Sequence, residues 1–247
     1  MTARLWKFFA MVLLMFPMPA GAQSSGSNGE VCKLHPELEW MMNGILELSQ
    51  AMPKYRQRNG AFPASVEHLG KPEKGSASSA GYANLVSGNW LKPEKHDYQF
   101  RYERTQSGWK LWGTALQTHK KLCGSFYTDQ TRIIRVYLRE GEAPDAVEPR
   151  AKRVRIDKDE MNKKLRVRSR PRYPESAKRE RLSGLVKLSV VIGVDGAIAD
   201  ILILSGPPAL VAATLEAVKA WRYEITVFQG TPVEVETIIE ADFAIRG

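Results

Sequence analysis

Residues 233–245, at the end of the chain, show the clearest alternation of apolar and polar side chains in the sequence. One face carries Val233, Val235, Thr237, Ile239, Ala241, Phe243 and Ile245. The other face carries Glu234, Glu236, Ile238, Glu240 and Asp242. A period of two predicts a β-strand with one face on the core and the other in water. We expect this strand to lie at a sheet edge, where free main-chain groups can accept another peptide.

The residues before this strand predict a small α+β unit. Its elements are, in order, a helix from Pro174 to about Arg181, a strand from Leu185 to Val194, a strand from Ile198 to Leu204, and a helix from Ala209 to Trp221. Asp195-Gly196 between the two strands is typical of a tight hairpin turn. The second strand is apolar on both faces, as in a central strand. The order predicts two helices packed on a three-stranded antiparallel sheet.

Short motifs of this unit carry a family resemblance. They are Tyr173-Pro174-x-x-Ala177, Gly184-x-Val186, Asp195-Gly196, Ser205-Gly206, Ala217-Val218-x-x-Trp221-Arg222-Tyr223, Gly230-x-Pro232-Val233 and the closing Phe243. As a set, over residues 165–246, they resemble the C-terminal domain of the TonB family of energy transducers. The sequence departs from the family at Glu224-Ile225, where a Lys-Pro pair is usual.

The resemblance implies a peptide-binding role for the last strand. In such domains that strand accepts an extended segment of an outer-membrane transporter or receptor. The predicted binding residues are Val233, Glu234, Val235, Glu236, Thr237, Ile238, Ile239 and Glu240. We expect the acidic side chains to limit self-association and to select a basic or polar peptide.

The N-terminus has the pattern of a signal peptide over residues 1–22. Arg4 and Lys7 precede the apolar run Phe8–Phe16, and Ala20-Gly21-Ala22 matches a cleavage site. The apolar run is about half of the roughly 20 residues that a membrane-spanning helix needs. We therefore expect export to the periplasm; if the signal is not cleaved, the chain would be anchored in the inner membrane. TonB proteins that transmit force have such an anchor and a Pro-rich spacer.

Export bears on the two cysteines and on possible ligands. In an oxidising compartment, Cys32 and Cys123 predict one disulfide, with two buried free thiols as the alternative. The four histidines are scattered without ligand spacing, so no metal site is expected. No nucleophile–base pair or phosphate-binding loop stands out, and we expect neither catalysis nor a cofactor.

Residues 31–139 are expected to form a separate N-terminal domain. An apolar stripe predicts a helix over 36–58, which Pro53 would kink or end early. Aromatic alternation around Ser107-Gly108 predicts a β-hairpin. Tyr55…Asn59-Gly60-x-Phe62-Pro63 and Phe126-Tyr127-x-Asp129 resemble motifs of the globular head of type IV pilin-like proteins, over residues 34–138. That resemblance implies a helix packed on an antiparallel sheet.

Residues 140–164 are expected to link this domain to the C-terminal one, 165–247. The basic side chains here and just beyond are Arg150, Lys152, Arg153, Arg155, Lys163, Lys164, Arg166, Arg168 and Arg170. They indicate either a solvated connector or a surface that binds peptidoglycan or another anionic surface. The second interpretation gives an alternative function, a non-enzymatic envelope or secretion-complex adaptor. The formal charge of +9 would also suit nucleic acid, but export excludes that partner. A homodimer is possible.

Overall fold

The computed structural model describes residues 33–34, 37–72, 81–91, 98–116, 122–138 and 151–245. The predicted signal peptide lies outside these residues, and so do Cys32 and the side chain of Cys123. The signal peptide and the disulfide therefore stay predictions.

The described elements alternate helices with many short strands. The helices are α1 (Leu38–Asn59), α2 (Lys158–Lys163), α3 (Glu175–Arg179) and α4 (Pro208–Val218), with short 3-10 turns at Val66–Leu69 and Gly88–Leu91. The strands are β1 (Lys33–Leu34), β2 (Tyr98–Arg104), β3 (Trp109–Ala115), β4 (Leu122–Cys123), β5 (Ser125–Asp129), β6 (Ile134–Tyr137), β7 (Arg153–Arg155), β8 (Leu165–Val167), β9 (Gly184–Ile192), β10 (Ile198–Ser205), β11 (Arg222–Tyr223), β12 (Val227–Phe228), β13 (Thr231–Pro232) and β14 (Glu234–Phe243). The predicted α+β class is confirmed.

Helix α1 forms because one of its sides is apolar and buried. The buried stripe includes Met41, Ile45, Leu48 and Met52. The predicted early end at Pro53 is wrong, because the helix runs on through Asn59. A proline removes one N–H from the helix, but Tyr55 beyond it is still buried. The helix ends at Gly60, which has a φ of 77°.

One sheet of eight strands organises the chain. Its order is β2-β3-β5-β6-β10-β9-β14-β7, and its neighbours are antiparallel except for β14 and β7, which are parallel. Smaller pairs join β1 to β4, β8 to β11 and β12 to β13. The three strands β9, β10 and β14 with helices α3 and α4 are the predicted C-terminal unit.

The sheet runs across the predicted domain boundary. Strand β6 pairs with β10 over three residues, from Val136↔Ile201 to Ile134↔Ile203. Strand β10 thus has a neighbour on both sides, as its apolar faces predicted. Residues 31–247 form one compact unit. Helices α1 and α4 contribute to the same core, in which Leu48, Val190 and Leu215 are fully buried.

The C-terminal unit follows its predicted pattern closely. Val186, Leu188, Val190 and Ile192 of β9 are all buried, whereas Val194 lies beyond the strand and is exposed. On helix α4 the predicted inward side chains Val211, Leu215 and Val218 are fully buried. Pro208 occupies the first position of this helix, where a missing N–H has little effect.

Candidate functional site: the outer side of strand β14

Strand β14 has different neighbours on its two sides. Strand β9 pairs with it from Val235 to Phe243. On the other side β7 pairs in parallel with Glu234, Val235 and Glu236. The expectation that the whole strand is outermost is therefore wrong for these three residues. Among the described residues, no strand pairs with β14 on that side beyond Glu236.

The main-chain hydrogen bonds fix which groups of β14 point outward. The N–H of Glu234 donates to the carbonyl of Lys152, and the carbonyl of Glu236 accepts from the N–H of Ile156, at 2.9 and 3.1 Å. Main-chain groups of successive residues in a strand point to opposite sides. The N–H and C=O groups of Ile238, Glu240 and Asp242 therefore face the same outer side as those of Glu234 and Glu236. We call residues 238–242 the open half of β14.

A groove of about 400 Å³ runs beside residues 240–244, at the far end of the open half. Its lining residues are Arg168, Arg170, Pro171, Tyr173, Trp221, Glu240, Ala241, Asp242, Phe243 and Ala244. The opposite wall of the groove is thus formed by the residues just before helix α3. An extended peptide placed there would pair with β14 on one side and contact this wall on the other.

Three contacts hold that wall in place. The indole N–H of Trp221 donates to the carbonyl of Ser169 at 2.7 Å. The ring of Tyr173 meets the ring of Phe243 edge-on, with their centroids 5.5 Å apart. The guanidinium of Arg168 also lies 5.6 Å from the centre of the Trp221 ring. The contacts with Trp221 tie the wall to the residues after helix α4, and the contact with Phe243 ties it to β14 itself, so the groove exists before any peptide arrives.

The acidic face of β14 is not the free, water-facing row that its sequence predicted. Glu234 is 2% exposed, because Arg153 covers it and donates two hydrogen bonds to one carboxylate oxygen, at 2.9 and 3.1 Å. Glu236 pairs with Arg155 at 2.8 Å. Alternation alone could not predict these partners, which come from a segment of the chain far away in sequence.

Glu240 is held by two lysines. Lys158 lies 2.5 Å and Lys187 lies 3.0 Å from its carboxylate oxygens. Hydrogen bonds from these two ammonium groups lower the pKa of Glu240 below its ordinary value of 4.5. The carboxylate is therefore charged and already partnered at neutral pH, which weakens the prediction that it selects a basic peptide for the open half.

The predicted basic linker is ordered where the structure describes it. Residues 151–164 contain β7 and α2, and the side chain of Met161 is 1% exposed. Four of the basic side chains are in ion pairs, namely Arg153, Arg155, Lys164 and Arg166. Arg150 lies outside the described residues. Val154 and Ile156 alternate with the arginines in this segment, and this pattern fits strand β7.

The predicted binding residues do not all share one environment. Val233, Val235, Thr237 and Ile239 are buried on the core face. The main-chain groups of Glu234 and Glu236 are engaged by the chain itself, which leaves Ile238 and Glu240 in the open half. Sequence reasoning did not assign the groove wall, because Trp221 was assigned only to a helix end and a family motif, and Arg168 and Arg170 only to a basic segment.

Comparison with known families bears on this site. Residues 169–245 match the family model described as Gram-negative bacterial TonB protein C-terminal. The predicted resemblance to the TonB C-terminal domain is confirmed. The TonB-like segment spans the strands β9, β10 and β14 and the helices α3 and α4, whereas β7 lies before it. A search of curated proteins found no match.

The comparisons leave the N-terminal part without a family. The helix packed on an antiparallel sheet is present there, but the resemblance to pilin heads is not confirmed. Across the residues that the structure describes, no helix has the length and apolar character to cross a membrane.

Proposed function

We propose that the chain is a periplasmic, TonB-like protein that binds an extended peptide of an outer-membrane receptor along the open half of β14. The observation that carries the proposal is the row of outward main-chain groups at Ile238, Glu240 and Asp242, with the groove beside the last two. The family match supports a link to TonB-type transport across the outer membrane. Pairing of this kind draws its affinity from main-chain hydrogen bonds and its specificity from side-chain contacts.

The geometry limits the length of the peptide that fits without rearrangement. Strand β7 already covers residues 234–236, so about five residues of β14 remain for a guest. Successive side chains of an added strand would point alternately toward the sheet's outer face and toward the core face. On the core face they would meet the aromatic groove formed by Tyr173, Trp221 and Phe243.

Replacing Ile238 with proline tests the proposal. Because the N–H of Ile238 faces away from β9, proline removes a donor to the guest and leaves the internal ladder in place. One hydrogen bond contributes about 1 kcal/mol, and the ring also obstructs close pairing. We expect Ile238→Pro to weaken peptide binding about tenfold or more in calorimetry with synthetic N-terminal segments of outer-membrane receptors.

Ile238→Val is the matched control for this experiment. It keeps the N–H and nearly the same side chain, so its affinity should stay within about twofold of the unchanged chain. Far-UV circular dichroism should be the same for both variants. Equal binding by folded Ile238→Pro and Ile238→Val would show that β14 does not accept the peptide.

The location is tested by the mature N-terminus. We expect mass spectrometry of the protein isolated from the cell envelope to give a chain that starts at Gln23, because cleavage after Ala22 fits the Ala20-Gly21-Ala22 motif. A chain that retains Met1 would contradict cleavage and indicate the anchored form.

A further inference from the structure

The segment that covers the first half of β14 has the form of a bound peptide. We call residues 152–157 the strap; it contains strand β7. The strap adds to the sheet in parallel, with Arg153, Val154 and Arg155 opposite Glu234, Val235 and Glu236. This is the arrangement by which proteins bind foreign extended peptides, except that the guest here belongs to the same chain.

The side chains of the strap match β14 on both faces. Arg153 and Arg155 point to the acidic face and pair with Glu234 and Glu236. Val154 and Ile156 point to the other face and pack against the hydrophobic core. Strand β14 thus binds a segment in which cationic residues alternate with β-branched ones. Its carboxylates supply charge complementarity, and its core face supplies apolar contact.

The strap is held less firmly than the rest of the sheet. It has three register pairs with β14, whereas β9 has nine with the same strand. Its second ion pair is exposed, since the side chain of Arg155 is 79% accessible. Short edge segments with few pairs and exposed ion pairs open more readily than the body of a sheet.

We propose that residues 234–236 of β14 form a second peptide site, specific for extended segments that alternate arginine with valine or isoleucine, and that the strap is its built-in, exchangeable occupant. The inference rests on the proposed function of β14 as a peptide-accepting strand and adds a regulation to it. A guest confined to the open half binds beside the strap. A longer guest, or one with the strap's own chemistry, binds by displacing it.

The test adds the strap sequence to the protein as a separate peptide. The probe is a fluorescein-labelled synthetic peptide with the sequence of residues 151–157. It is titrated against the full chain and against Arg155→Glu/Ile156→Pro, in which the strap loses an ion pair and the main-chain donor to Glu236 while β14 is unchanged. We expect the double variant to bind the peptide at least tenfold more tightly than the unchanged chain.

Two controls isolate the pairing pattern. A peptide with both arginines replaced by glutamate should not bind either protein measurably. Hydrogen exchange should show faster exchange in the strap amides of the double variant and unchanged protection in β9. If the double variant does not fold, Arg155→Glu alone is used, with an expected gain of about threefold.

The proposal is overturned if a folded variant with a fast-exchanging strap binds the peptide no more tightly than the unchanged chain. Equal binding of the arginine and glutamate peptides would overturn it as well. Failure here leaves the receptor-peptide result with Ile238→Pro untouched, because that experiment measures the open half. Conversely, loss of the receptor-peptide site does not prevent the strap peptide from pairing with residues 234–236.

Discussion

Replacing Arg153 with alanine is expected to lower the free energy of unfolding by about 3 kcal/mol. Arg153 covers the carboxylate of Glu234, whose side chain is 3% exposed. Removing one partner of a buried ion pair lowers the free energy of unfolding by about 3–5 kcal/mol, since the other charge then stays buried without a partner. We take the lower end because the side chain of Arg153 is 24% accessible, so water can partly replace it. Urea denaturation measures the change.

Two further variants distinguish the cost of leaving a buried charge without its partner from the cost of losing an exposed ion pair. Arg155→Ala removes an exposed pair from the same strand and should cost at most about 1 kcal/mol. The double replacement Arg153→Met/Glu234→Leu removes both charges and should recover most of the stability lost in Arg153→Ala. If Arg153→Ala and Arg155→Ala cost the same, Glu234 is not a buried charge that depends on Arg153.

The alternation of the C-terminal strands was enough to predict most of the TonB-like segment. Val186, Leu188 and Val190 had to share a buried face, and the turn at Asp195-Gly196 joined two antiparallel strands. These features depend on neighbours within about ten residues of the chain. Local patterns of this kind determine element type and the buried face directly.

The occupant of the β14 edge could not be predicted in the same way. Arg153 and Glu234 are 81 residues apart, and the sequence around either residue does not indicate that it pairs with the other. A run dense in arginine and lysine is more typical of a solvated connector. Its apolar residues, Val154, Ile156, Leu165 and Val167, indicated an ordered element but did not distinguish a strand from a helix. Pairing between segments so far apart in sequence depends on the completed sheet, which brings Arg153 and Arg155 beside Glu234 and Glu236.

The single continuous sheet has a similar explanation. The boundary between two domains was expected where composition changes, near residues 140–164. Strand β10, however, has two edges with main-chain groups to pair, and β9 pairs with only one of them. Strand β6 pairs with the other edge, with Val136 buried opposite Ile201. Composition along the chain shows where a connection lies, but it does not show whether the parts it connects share a sheet.

Replacing Gly196 with alanine should be among the most damaging single changes in the chain. Gly196 has a φ of 77°, which side chains tolerate poorly. A Cβ built there would lie 2.2 Å from the carbonyl oxygen of Tyr223, a main-chain atom that cannot rotate away. The N–H of Tyr223 in turn donates to the carbonyl of Gly196 at 2.9 Å. We expect a loss of about 3 kcal/mol or more, from backbone strain and forced overpacking together.

Gly230→Ala measures the backbone part of this effect without the steric part. Gly230 has nearly the same φ, 78°, yet nothing lies within 4 Å of a Cβ built on it. Its replacement should therefore cost about 1 kcal/mol, from the backbone conformation alone. The difference between the two variants in urea denaturation measures how closely the β9–β10 turn packs on the main chain at Tyr223. Equal losses would mean that the turn can move away from β11, and the glycine at 196 would then be required only for its φ.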